Sequence, residues 1–152
     1  MDARFGTGWT PSTDAMRGGT SDVELKTVTG GAKGTKGALL VSGEIKGDSA
    51  FGWAGAMFSP AAPMAPANLS SKKMLTFFAK GDGGKYRVMI FARHLGFKAT
   101  TRTFTAGADW KQVLLPFEEF DGLDGRDVMG ILWTGGPKQG RFSFQIDEVE
   151  LH

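Results

Sequence analysis

Residues 74–94 read MLTFFAKGDGGKYRVMIFARH, and the alternation within them decides the fold class. Leu75, Phe77 and Ala79 alternate with Thr76, Phe78 and Lys80. Beyond Gly81-Asp82-Gly83-Gly84, the residues Tyr86, Val88, Ile90 and Ala92 alternate with Arg87, Met89, Phe91 and Arg93. A period of two sends successive side chains to opposite faces of a strand, so one set is buried. The connector is built from residues that tolerate positive φ, which predicts a hairpin. A merely solvated outer face would carry Thr, Lys, Glu and Ser. Arg87, Met89, Phe91 and Arg93 instead mix flat apolar groups with planar guanidinium donors, which suits a ligand having both apolar faces and hydroxyls. A second reading stands beside it: a loop covers Met89 and Phe91 while the arginines snorkel around them.

The rest of the 152-residue chain extends the pattern. Its length predicts one domain, residues 1–152, able to bury a sizeable core. The 18 basic and 16 acidic side chains leave a net charge of +2 and form no block of like sign, which argues against nucleic acid or an anionic membrane as partner. Cysteine is absent, so disulfides, thiolate metal sites and a cysteine nucleophile are excluded. The apolar runs are too short to span a bilayer as helices, and no apolar signal segment opens the chain. Because it starts almost directly on structured-looking sequence and stops at a strand, the chain reads as a domain excised from a larger protein. Its 23 glycines are about twice the usual share of roughly 7% and separate many short alternating runs. That composition predicts an all-β domain.

In chain order, residues 2–19 read as irregular, followed by strands over 23–28 and 39–45. The loop 30–37 is Gly-rich, but Lys36 precedes Gly37 rather than Ser or Thr and no helix follows, so it fails the phosphate-loop pattern, and a phosphate or nucleotide site rests on the glycines alone. A strand over 51–58 puts Phe51, Trp53 and Met57 on one face and Gly52, Ala54 and Ala56 on the other. Pro60, Pro63 and Pro66 make 59–68 a surface connection. Residues 97–105 are rich in Thr, which points to an edge strand or an exposed ligand-side face. Strands over 110–117 and 128–134 flank an acidic loop. The last strand, 141–151, shifts phase near Asp147, as a β-bulge does. Eight to ten strands of this kind fit a two-sheet sandwich.

The residues speak against catalysis. His94 and the terminal His152 are the only histidines, and neither a G-x-S-x-G elbow nor an H-E-x-x-H helix is present. The carboxylates of 118–127 sit among glycines, where turn chemistry accounts for them. Sugar binding, by contrast, needs flat aromatic surfaces and planar hydrogen-bonding groups around them. Trp53, Phe91 and Trp133 are the candidate platforms, with Arg87, Arg93 and His94 as donors. The competing assignment for Trp53 and Trp133 is a plug in the core, the place assigned to Trp9 and Trp110.

Four motifs carry a resemblance over essentially the whole chain. Residues 14–21, DAMRGGTS, resemble the D-x-x-x-GG-x-S element of the complex I intermediate-associated protein 30 family. Leu75 to Gly83 resembles that family's strand and KGDG turn. Trp110 to Phe120 resembles its W-x-x-V-x-x-PF-x-x-F element, and Ile146 to Leu151 its terminal strand. The resemblance implies a galactose-binding-like jelly-roll sandwich, similar also to family 11 carbohydrate-binding modules, which bind β-glucans on a concave sheet. It implies a non-catalytic module for a polysaccharide or oligosaccharide, linked to a catalytic domain in a secreted or periplasmic bacterial protein. The alternative it leaves open is an accessory or protein-interaction domain, as in assembly factors or amidohydrolase appendages. Arg87 falls where family 11 modules have an arginine, whereas their concave-face tyrosines have no counterpart, Tyr86 being inward by parity. Sandwiches of this type often hold a structural calcium ion, for which Asp147 is the candidate ligand, a bulge residue bonding a nearby loop being the other role open to it.

Overall fold

The computed structural model describes residues 8–47, 52–96 and 98–152. Ten strands follow in order: β1 (Trp9–Thr13), β2 (Asp22–Thr29), β3 (Gly37–Ile45), β4 (Ala54–Phe58), β5 (Met74–Gly81), β6 (Lys85–Ala92), β7 (Thr100–Thr105), β8 (Lys111–Pro116), β9 (Val128–Gly135) and β10 (Gly140–Leu151). They form two five-stranded sheets, β1-β4-β9-β6-β7 (sheet A) and β2-β3-β10-β5-β8 (sheet B). All of their pairings are antiparallel. The expected all-β jelly-roll sandwich is the fold. Both halves of the 74–94 hairpin are strands, but they separate: β5 pairs with β10 and β8 in sheet B, while β6 pairs with β9 and β7 in sheet A.

The core lies between the sheets, where the alternating apolar sets meet. From sheet A come Ala54, Ala56, Phe58, Tyr86, Val88, Ile90, Ile131 and Trp133; from sheet B come Leu39, Val41, Leu75, Phe77, Phe144 and Ile146. Trp133 is the largest of the fully buried side chains and meets Trp9 and Phe77 edge-on, at 5.1 and 5.7 Å between ring centroids. Burying each such side chain contributes about 1.5–3 kcal/mol, which offsets the ordering of many short strands.

Two expectations need correction. Residues 9–13 form a strand rather than irregular chain. Pro11 is tolerated there because β1 is an edge strand, so its missing N–H interrupts no inner ladder. The strand expected from residue 51 begins at Ala54, and Phe51 lies outside the described residues. The bulge near Asp147 is present: the β10–β5 register shifts between Asp147 and Glu150, with Glu148 at φ +50. The Thr-rich strand β7 is an edge of sheet A.

Candidate functional site

The family-like motifs prove to be staples of the fold. Asp14 is buried and its carboxylate accepts from the Ser21 amide (3.1 Å) and the Ser21 hydroxyl (2.7 Å), while the Ser21 oxygen accepts from the Lys46 amide (3.0 Å). Gly19 is required because a Cβ there would stand 2.3 Å from the Asp14 carboxylate. Asp82 accepts from the Gly84 and Ser143 amides and from the Tyr86 hydroxyl, tying the hairpin turn to β10. Burial and that carboxylate both push the Tyr86 phenol up from its ordinary range.

The first staple also positions an indole. The Asp14 amide donates to the Trp53 carbonyl (3.0 Å), and the Trp53 indole N–H donates to Ser12 Oγ (3.2 Å). Trp53 is thereby laid, half-exposed, at one end of the outer face of sheet A, with the Arg17 guanidinium 5.8 Å from its ring centre. An exposed cation–π pair contributes only ~0.5–1 kcal/mol, so a stacking ligand can displace it.

Register defines the rest of this face. One row runs Ser12, Gly55, Thr134, Arg87, Thr103 across the five strands; the next runs Thr10, Met57, Leu132, Met89, Thr101. Lys85 and Thr105 continue it on one side, Phe91 and Gly130 on the other. The Gly130 end is covered: Met64, 48% exposed and at φ +56, reaches over it from the proline-rich connection, and Met57 and Leu132 are buried beneath. Glycine at 130 leaves that room, since a Cβ would meet the Met57 sulfur at 2.7 Å. A covering connection therefore exists at one end of the face; at the other, Gly55 and Thr134 are buried as well, with Trp53 half-exposed and Arg17 exposed beside them.

The candidates from sequence separate accordingly. Trp53, Arg87 and Phe91 share the outer face of sheet A. Trp133 does not: it pairs with Val88 and Ala56, points inward and is 0% exposed, so it offers no surface to a ligand. Its strand is buried on both faces, and alternation alone could not tell which set faces out. Arg87 is half-buried, and its Nη2 donates to the carbonyls of Gly52 (2.9 Å) and Gly135 (3.0 Å); desolvation lowers its pKa. It thus braces the segment before Trp53 as well as facing out. Arg93 and His94 leave the strand in a short 3-10 turn, Arg93–Leu95. Arg93 is exposed, its amide donating to the Asp127 carbonyl. His94 is held at both ring nitrogens, Nδ1 2.7 Å from Asp127 Oδ1 and Nε2 2.7 Å from the Gly122 carbonyl, so it is not a free donor. Two acceptors call for two N–H groups, and the bonds to Gly122 and Asp127 raise the His94 pKa. Ser12, Arg17 and Lys85 carry no sequence signal for this face, whereas the β7 threonines are foreshadowed by the polar character of residues 97–105.

Asp147, the candidate calcium ligand, takes the other role open to it, that of a bulge residue bonding a nearby loop. Its Oδ2 accepts from the Ala32 amide (2.8 Å) and the Thr35 hydroxyl, pinning the Gly-rich loop. Elsewhere among the described residues, His94, Asp124 and Asp127 bring one potential ligand atom each within 4.8 Å of one another. The His94 nitrogens are engaged there, and imidazole is a poor partner for a hard cation.

The two antiparallel sheets form a jelly-roll sandwich whose sheet A carries an indole and basic side chains at one end. The chain belongs to the family described as complex I intermediate-associated protein 30 (CIA30), whose model matches residues 3–130. Among solved structures it is similar to the family 11 carbohydrate-binding module of a cellulosomal cellulase from Clostridium thermocellum, at 21% identity over 94% of this chain and 86% of that one, TM-score 0.72. The same organism's family 11 module in complex with a β-1,3-1,4-mixed-linked tetrasaccharide aligns at 20% identity over 99% and 92%, TM-score 0.73. A family 30 carbohydrate-binding module aligns at 15% identity over 100% and 96%, TM-score 0.71. These likenesses establish the fold. The comparison with curated proteins found no match.

Proposed function

We propose that this protein is a non-catalytic carbohydrate-binding module that takes a polysaccharide or oligosaccharide on the outer face of sheet A. The observation that carries the reading is Trp53, held half-exposed on that face by Ser12 and the Asp14 staple, with Arg17 and Arg87 beside it. An indole offers its flat face to pyranose C–H groups, and the surrounding guanidinium and hydroxyl groups address the sugar oxygens. The role is delivery: the module holds a catalytic domain of the same protein near its polysaccharide, outside the cytoplasm. The likeness to modules that include one solved with a tetrasaccharide supports this reading.

Affinity electrophoresis through gels containing soluble β-glucans, xylans, mannans, galactans and acidic polysaccharides, with and without EDTA, tests it. Retardation by one polymer is expected, unchanged by EDTA. Unchanged mobility in every gel would overturn it in favour of the second reading, a protein-interaction domain of the assembly-factor kind. Family membership and the apolar Met64, Met89 and Phe91 end of the face favour that alternative.

A further inference from the structure

The two sheets differ in charge in a way that bears on the ligand's chemistry. The strands of sheet A contain no Asp, Glu, Asn or Gln, and their charged residues are Lys85, Arg87 and Arg102. The strand carboxylates Asp22, Glu24, Glu44, Asp147, Glu148 and Glu150 all belong to sheet B. On the outer face of sheet A, Lys85, Arg87 and the neighbouring Arg17 are accompanied by the hydroxyls of Ser12, Thr101, Thr103 and Thr105.

The carboxylates on elements around this face are already engaged. Asp14 holds Ser21, and Asp82 holds Gly84, Tyr86 and Ser143. Asp127 is bound to His94, Asp124 to Arg126, and Glu119 to Arg102. Among the described residues, no carboxylate forms an ion pair with Arg17, Lys85 or Arg87. Asp109, Glu118 and Asp121 lie on connections beyond the strand rows.

Neutral sugar hydroxyls both donate and accept, and planar carboxylates and carboxamides are the side chains that accept from them in pairs. Among the described residues, the strand rows of this face lack such acceptors and offer cationic donors plus hydroxyls, a set that matches a ligand rich in acceptors and carrying negative charge. We infer that the glycan bound by sheet A is anionic, a polysaccharide bearing uronate carboxylates or sulfate esters. Lys85, Arg17 and Arg87 meet the anions, and the β7 threonines and Ser12 meet the ring hydroxyls. The inference rests on the glycan-binding reading above and specifies its ligand class.

The test is titration calorimetry of the whole chain with paired polymers: polygalacturonate against its methyl ester, and a sulfated galactan against the same galactan after desulfation. Binding of at least one charged polymer is expected to be about tenfold or more tighter than its neutral counterpart. It should weaken about tenfold as ionic strength rises from about 0.02 M to about 0.5 M. The polygalacturonate and galactan arms distinguish carboxylate from sulfate. The Arg17→Gln/Lys85→Gln double variant should lose about tenfold with its melting temperature unchanged. Lys26→Gln/Lys80→Gln, on sheet B, should bind as the parent does. Equal or tighter binding of both neutral polymers overturns the inference while leaving the module reading intact. An equal loss in the sheet B variant also overturns it, because the attraction would then be that of a basic protein for any polyanion. Failure of all four polymers, where a neutral β-glucan or xylan is bound, rejects the anionic class alone; failure of every polysaccharide rejects both readings.

Discussion

Arg87 and Trp53 show how one residue's role can be read two ways until its partners are known. From sequence, Arg87 is a ligand donor, and its removal should weaken binding while leaving stability almost untouched. Its bonds to the Gly52 and Gly135 carbonyls change that expectation. Arg87→Met should lower stability by about 1–3 kcal/mol, because two carbonyls lose a charged donor in a half-buried setting; urea unfolding measures it. Unchanged stability would show that water replaces the guanidinium there at no cost. Trp53 behaves oppositely, since its indole is half-exposed and bonded through a single N–H. Trp53→Ala should weaken glycan binding about tenfold or more, ~1.4 kcal/mol or above, with little change in melting temperature. Retained affinity in that variant would remove Trp53 from the site.

At the scale of elements, the end of β6 is clasped to the β8–β9 connection by His94. Its ring lies between Asp127 and the Gly122 carbonyl, and the His94 amide also donates to Asp127 at 2.8 Å. Asp124 adds attraction, itself paired with Arg126. Because the His94 pKa is raised in the folded protein, its contribution is fully present below the ordinary imidazole value of about 6.5 and is lost as pH rises through the raised value. Desolvation works to raise the Asp127 pKa, but the His94 bonds outweigh it and the value is lowered. The Asp127 contribution is therefore present above the ordinary carboxylate range and lost as pH falls through its lowered value. Amide exchange at residues 93–96 and 122–127 should quicken on going from pH 6 to pH 9 beyond the intrinsic base-catalysed rate, and His94→Gln should remove that excess. An NMR titration giving His94 an ordinary pKa would dismiss the clasp.

For the molecule as a whole, stability resides between the sheets, and the proposed recognition falls on one outer face. Trp133 joins the two, packing against Trp9 of β1 and Phe77 of β5. Trp133→Ala should cost about 3–5 kcal/mol in denaturant unfolding, the range for a large aromatic removed from a core. A cost below about 1 kcal/mol would mean that the sheets close over the cavity. The charge difference between sheets belongs to this scale too: the carboxylates of sheet B leave the outer face of sheet A cationic, and no single strand reveals it.

Most strands, the tight turn at residues 81–84, the bulge near Asp147 and the sandwich class were legible in the sequence, whereas β1 was not, and the expected hairpin proved to be a crossing between the two sheets. The legible features follow from local alternation, from residues that permit tight turns, and from motifs whose side chains bond within their own loops. Trp53 and Phe91 were legible as aromatic positions on alternating runs. Only the tertiary structure decided that Trp133 faces inward, because β9 is apolar on both sides and its phase is set by pairing with β4 and β6. Likewise, only folding committed Arg87, His94 and Asp147 to partners, and those partners lie 28 to 115 residues away in sequence. Alternation tells which side chains share a face; long-range pairing decides whether that face meets the core, a loop or open water.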